Sequence, residues 1–194
     1  MSDGPITFDV LNPAFKKLEI DMNAIKKLID AICHPGWYEN APGFAEAKKL
    51  ASTNNKTILL ACTDYNGCCQ YWSNCLKNEV FDHCEFGWWV LQNQLILVQL
   101  DCASLLTNLA TGDWNDSETA NLILKYFLAD QDPNSWSVDT AAAARIDSDG
   151  ETCLGRVGVY TPGTGVKNWI AQFESATSMN KGIIKVLKGH TKSH

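Results

Sequence analysis

Thr57-Ile58-Leu59-Leu60-Ala61-Cys62-Thr63, followed by Asp64-Tyr65-Asn66-Gly67-Cys68-Cys69-Gln70, is the stretch on which the reading of this chain turns. The first part is short and almost wholly apolar, the pattern of a strand covered on both faces of a sheet. Asp64 to Gln70 is a loop, and a helix is expected from about Tyr71 to Phe81. Leu95-Ile96-Leu97-Val98-Gln99-Leu100 is a second strand of the buried type. Strand, helix, strand in that order implies a parallel pair joined by a right-handed crossover.

Towards the N-terminus, Leu18, Ile25, Leu28, Ile29 and Ile32 recur at helical spacing between Pro13 and Cys33, which predicts an amphipathic helix ended by His34-Pro35-Gly36. A second helix is expected from Pro42 to about Thr53, with Phe44, Ala47, Leu50 and Ala51 on one face. Towards the C-terminus the pattern predicts a helix between Asp113 and Ala129. Asp116 or Ser117 would cap it, with Leu122, Ile123, Tyr126 and Phe127 inward. Ala141 to Ile146 is a small-residue strand, although alanine is a poor strand former. Asp147-Ser148-Asp149-Gly150 reads as a hairpin turn and Cys153 to Tyr160 as the antiparallel partner. Pro162-Gly163 opens a last helix carrying Trp169, Ile170 and Phe173, with an amphipathic tail through Ile183, Ile184 and Leu187.

The chain has 194 residues, 16 basic and 22 acidic, for a net charge of −6, with 45% hydrophobic and 20% charged residues. These are the proportions of one folded soluble domain, and at this length about 70% of the unfolded surface is buried on folding. An acidic balance disfavours a phosphate backbone, and no window approaches the roughly 18 apolar residues of a membrane span, so neither nucleic acid nor membrane is an expected partner. The N-terminal residues MSDGPITFDV lack a basic region and a long apolar run. On that reading the chain is cytoplasmic, or exported if a signal was trimmed. Eight cysteines, an even count, keep an oxidising compartment open.

The cysteines also carry the chemistry. Cys68 and Cys69 fall where a buried strand gives way to a helix. There unpaired backbone N–H groups favour thiolate, the form that attacks disulfides. Cys75 lies deeper in the helix, as a core residue or a resolving partner. Cys62 and Cys153 fall on strands and read as packing residues. Cys33, Cys84 and Cys102 sit at element ends, where a surface thiol, a structural disulfide and a buried filler all remain open. Cys33-His34 and His83-Cys84 are adjacent soft donors, but no paired C-x-x-C spacing supports a metal, and none is expected. No phosphate-cradling loop, G-x-S-x-G or H-E-x-x-H occurs, so no cofactor is expected. Trp88, Trp89 and Trp169 read as core or groove. Trp37, Trp114 and Trp136 lie near element ends, where they could also meet a partner.

Several of these segments occur together in one family. Trp37, Phe44-Ala45-Glu46-Ala47, Asn55-Lys56-Thr57-Ile58-Leu59-Leu60, Thr63 and Cys68 are followed by Glu79-Val80-Phe81 and Val98-Gln99-Leu100-Asp101. Ile146 to Glu151, Leu154 to Gly158 and a final helix complete the series. Over residues 37 to 175 the chain resembles the thioredoxin-like superfamily, closest to bacterial thioredoxin-related proteins. The resemblance implies an α/β thioredoxin-like fold, a central mixed sheet flanked by helices. It would occupy residues 37–194, with residues 1–36 as an extra N-terminal helical extension. It also implies a thiol–disulfide oxidoreductase acting on protein thiols or disulfides, or a protein partner held in the same groove. Cys68, Cys69 and Cys75 are then the catalytic candidates, and Tyr71, Trp72, Thr140 and Ala141 the substrate-binding ones.

Two hallmarks depart from the family. Counting from Thr63 places C-x-x-C on Cys68-Cys69-Gln70-Tyr71, so tyrosine replaces the second cysteine, and counting back from Glu79 finds neither. The family's cis-proline falls on Ala141, where a cis bond would cost about 2.5–4 kcal/mol and a trans peptide is expected. The sequence therefore reads as a divergent oxidoreductase with atypical or lost redox activity, with a non-catalytic thioredoxin-fold binding module as the alternative.

Overall fold

The computed structural model describes residues 22–65, 67, 70–102, 118–128 and 141–190. Five strands form one sheet. They are β1 (Tyr38–Glu39), β2 (Ile58–Thr63), β3 (Ile96–Asp101), β4 (Ala142–Ile146) and β5 (Cys153–Val157), in the spatial order β1-β3-β2-β4-β5. β1 and β2 both run parallel to β3, with Leu60 opposite Val98 and Cys62 opposite Leu100. β4 lies antiparallel to β2 and β5 antiparallel to β4, with a bulge at Arg145/Ile146. Six helices flank the sheet among the described residues: α1 (Met22–Cys33), α2 (Asn40–Asn54), α3 (Gln70–Leu76), α4 (Cys84–Gln92), α5 (Glu118–Ile123) and α6 (Gly165–His190). α3 and α5 run on into wider π-type turns, Lys77–Phe81 and Leu124–Leu128. The result is an α/β arrangement of a mixed sheet, a terminal hairpin and a closing helix, with an additional helix at the N-terminal side.

Strand alternation assigns the core to two faces. On one, Leu60, Cys62, Val98, Leu100, Ala142 and Ala144 meet Phe44, Ala47 and Ala51 of α2 and Ile123, Tyr126 and Phe127 at α5. On the other, Leu59, Ala61, Leu97 and Ala143 meet Leu76, Val80 and Phe81 after α3, Phe86 and Trp89 of α4, and Trp169 and Phe173 of α6. All six residues of β2 are buried, as a strand covered on both faces requires. The alanines of β4 are explained the same way. The strand lies between β2 and β5 with both its faces buried, so burial and close packing override its weak propensity.

Several expectations change. The helix expected over 13–33 is described from Met22, and Leu28 and Ile29 on its apolar face are exposed, because α1 touches the body through Ile32 and Cys33 next to α4. Leu50 is likewise exposed. Trp37 is packed against Phe81 and Phe86, and Trp88 points outward while Trp89 is buried. Leu18, Trp114, Trp136 and the expected caps Asp116 and Ser117 lie outside the described residues. The choice left open at Cys33 and Cys84 is closed by a disulfide between them. No helix among the described residues is long and apolar enough to cross a membrane.

Candidate functional site

The C-terminal end of β2 leads into a loop whose shape is set by Asp64. This side chain is completely buried, and its Oδ1 accepts the Gly67 N–H at 2.5 Å. The Asp64 N–H donates to Ser73 Oγ at 2.8 Å, and Ser73 is itself buried on α3. Together these bonds tie the strand end to the helix across the loop. Gly67 is required here: a Cβ would stand 2.3 Å from Asp64 Oδ2. The Gln70 N–H then donates to the Gly67 carbonyl at 3.3 Å and α3 begins. Asp64, Gly67 and Ser73 were missed as positioning residues by sequence reasoning, although Asp-x-x-Gly after a strand is a turn signal of the Asx type.

Cys68 and Cys69, between Gly67 and Gln70, lie outside the described residues, as does Thr140. Tyr71 and Trp72 occupy the first turn of α3, 63% and 40% exposed, with their rings edge to face at 5.0 Å. Cys75, half-buried, is one helical turn beyond Tyr71 on the same face. The Tyr71 phenol is held above its ordinary 10.0, first by the neighbouring Cys75 thiol, with Glu79 adding to the shift.

Beyond Cys75 the same face continues to Glu79. Its Oε2 accepts the Tyr160 O–H at 2.5 Å and the Gly163 N–H at 2.7 Å, and the Tyr160 hydroxyl accepts the Gly165 N–H at 3.1 Å. Burial, then the bond to Glu79, pushes the Tyr160 phenol up to about 12, with Cys75 adding to the shift. Glu79 is thus more than part of a sequence signature: it clamps the turn before α6 onto the end of α3. Sequence reasoning gave Tyr160 no such part, because a partner 81 residues away leaves no local trace.

Ala141 lies at the foot of β4, completely buried, with a positive φ of 65°. Its N–H donates to the Cys62 carbonyl and its carbonyl accepts the Tyr160 N–H. Both backbone groups are therefore committed within the fold. No cis peptide bond occurs among the described residues. Nor, among them, does any group of three or more His, Cys, Asp or Glu side chains stand where it could hold a metal ion.

Comparison with protein-family models gives no match, and comparison with curated proteins gives none. Among solved structures, a chain described as "DsbH Oxidoreductase" is similar, at 18% identity and a TM-score of 0.47 over 74% of this chain and 84% of that one.

Proposed function

We propose that this chain is a divergent thiol–disulfide oxidoreductase in which Cys68 or Cys69 is the attacking thiol. The observation that supports this reading is the Asp64–Gly67–Ser73 clasp, which anchors both ends of the loop carrying these cysteines to the end of a central strand and the start of α3. A thiolate at that position attacks one sulfur of a substrate disulfide and expels the other as thiolate. A second protein thiol then attacks the mixed disulfide, releasing a reduced substrate and leaving the two electrons' loss as an intramolecular disulfide. Cys75 is the resolving candidate. At about 1.5 Å rise per residue it lies some 7.5 Å along the axis from Gln70, so the loop must double back to reach it. Both backbone groups of Ala141 are engaged within the fold. An oxidising setting belongs to the same proposal, favoured over the cytoplasm by the Cys33–Cys84 bridge.

The exposed Tyr71–Trp72 pair favours a second reading, a binding module that holds a protein partner without turnover. Reduction of a protein disulfide with a small dithiol as electron source separates the two. Cys68→Ser is expected to abolish turnover with the fold intact. Unchanged turnover removes Cys68 from the mechanism, and absence of turnover in the parent protein leaves the binding reading.

A further inference from the structure

Cys62, on β2, and Cys102, the residue after β3, are both completely buried, and their sulfurs lie 2.7 Å apart. This is well inside the contact distance of two non-bonded sulfurs and a small displacement from the ~2.05 Å of a disulfide. Register, rather than a chance rotamer, brings them together. Cys62 is opposite Leu100, and the Cys102 N–H donates to the Thr63 carbonyl at 2.8 Å, extending the parallel ladder by one residue. Alternation then puts Cys62, Leu100 and Cys102 on one face, and all three belong to the same core cluster. Leu76 of α3 belongs to the other core cluster and Cys75 packs against it, on the opposite side of the sheet.

We propose that Cys62 and Cys102 form a second disulfide, a buried staple between β2 and the end of β3 directly beneath the loop that Asp64 organises. Its formation removes one proton and one electron from each thiol. The two electrons pass to a glutathione-type or protein disulfide, which leaves as two thiols. Because both sulfurs are inaccessible in the folded chain, the exchange takes place before the core closes. The finished bond is shielded from the same chemistry at the surface. The staple is independent of the redox role proposed for Cys68 and Cys69, and it fixes the strand from which their loop departs.

Peptide mapping tests this. The full-length chain is reduced, unfolded, refolded in a mixture of reduced and oxidised glutathione, alkylated in denaturant and cleaved without reduction at aromatic residues and lysine. Cleavage after Tyr65 separates Cys62 from Cys68, Cys69 and Cys75, and cleavage after Trp89 separates Cys84 from Cys102. The expected result is a linked Cys62–Cys102 peptide beside the linked Cys33–Cys84 peptide, each lacking two hydrogens. In Cys102→Ser the Cys62 peptide should become fully alkylated. The same mapping on protein isolated from an oxidising compartment guards against a refolding failure. Alkylation of both Cys62 and Cys102 in molecules whose Cys33–Cys84 bond is intact, or linkage of either to another cysteine, overturns the proposal.

Discussion

Tyr160 shows how one hydroxyl joins distant parts of the chain, donating to Glu79 while accepting the Gly165 N–H. Its phenol titrates near 12 rather than 10.0, so folding favours the protonated form. That contribution to stability is whole below pH 10 and is lost as pH rises through 12. Tyr160→Phe should cost about 1 kcal/mol at neutral pH. The denaturation curves of variant and parent should converge above pH 12. A difference that stays constant across that range would show that the phenol's ionisation is not coupled to folding. At this scale the sequence was informative where bonds are local and silent where they are not. The turn residues Asp147 to Gly150 were legible, and their Asp149 Oδ1 accepts the Glu151 and Thr152 N–H groups. The 2.7 Å approach of Cys62 and Cys102 was not, since it depends on strand register.

Helix α4 illustrates the same limit for whole elements. Cys84-Glu85-Phe86-Gly87-Trp88-Trp89-Val90-Leu91-Gln92 is rich in aromatic residues and contains a glycine, so neither propensity nor a clean period marks it as helical. Packing makes the helix: Phe86 and Trp89 enter the aromatic cluster around Trp169, and Trp89 Nε1 donates to Glu174 at 2.8 Å. Gly87 lets α1 come close, for a Cβ there would lie 1.6 Å from the Ile32 carbonyl oxygen. Gly87→Ala should therefore push α1 away and destabilise the protein by about 1–3 kcal/mol, read from urea unfolding. A neutral result would mean that α1 is not held against α4 in solution. By contrast β2, β3 and the terminal hairpin were legible, because an uninterrupted apolar run and an Asp-Gly turn have few other solutions.

For the molecule as a whole, the order of its segments indicated the mixed sheet and closing helix, whereas cysteine pairing among eight residues was beyond the sequence. The Cys33–Cys84 bridge spans 51 positions and joins α1 to α4. Closing a loop of that size is worth about 4 kcal/mol in the chain-entropy account. The double variant Cys33→Ser/Cys84→Ser should lose a large part of this in a denaturant titration, and an unchanged midpoint would deny the bridge a stabilising part. The central claim concerns a different pair, and site-resolved alkylation of the native protein across a pH series tests it most directly. Each cysteine is followed by mass spectrometry in reduced and oxidised samples. The account predicts rapid labelling of Cys68 or Cys69 below pH 7, lost on oxidation, while Cys62 and Cys102 stay unlabelled in both. Slow labelling of both Cys68 and Cys69 at every pH, or their permanent engagement in a disulfide, would contradict it.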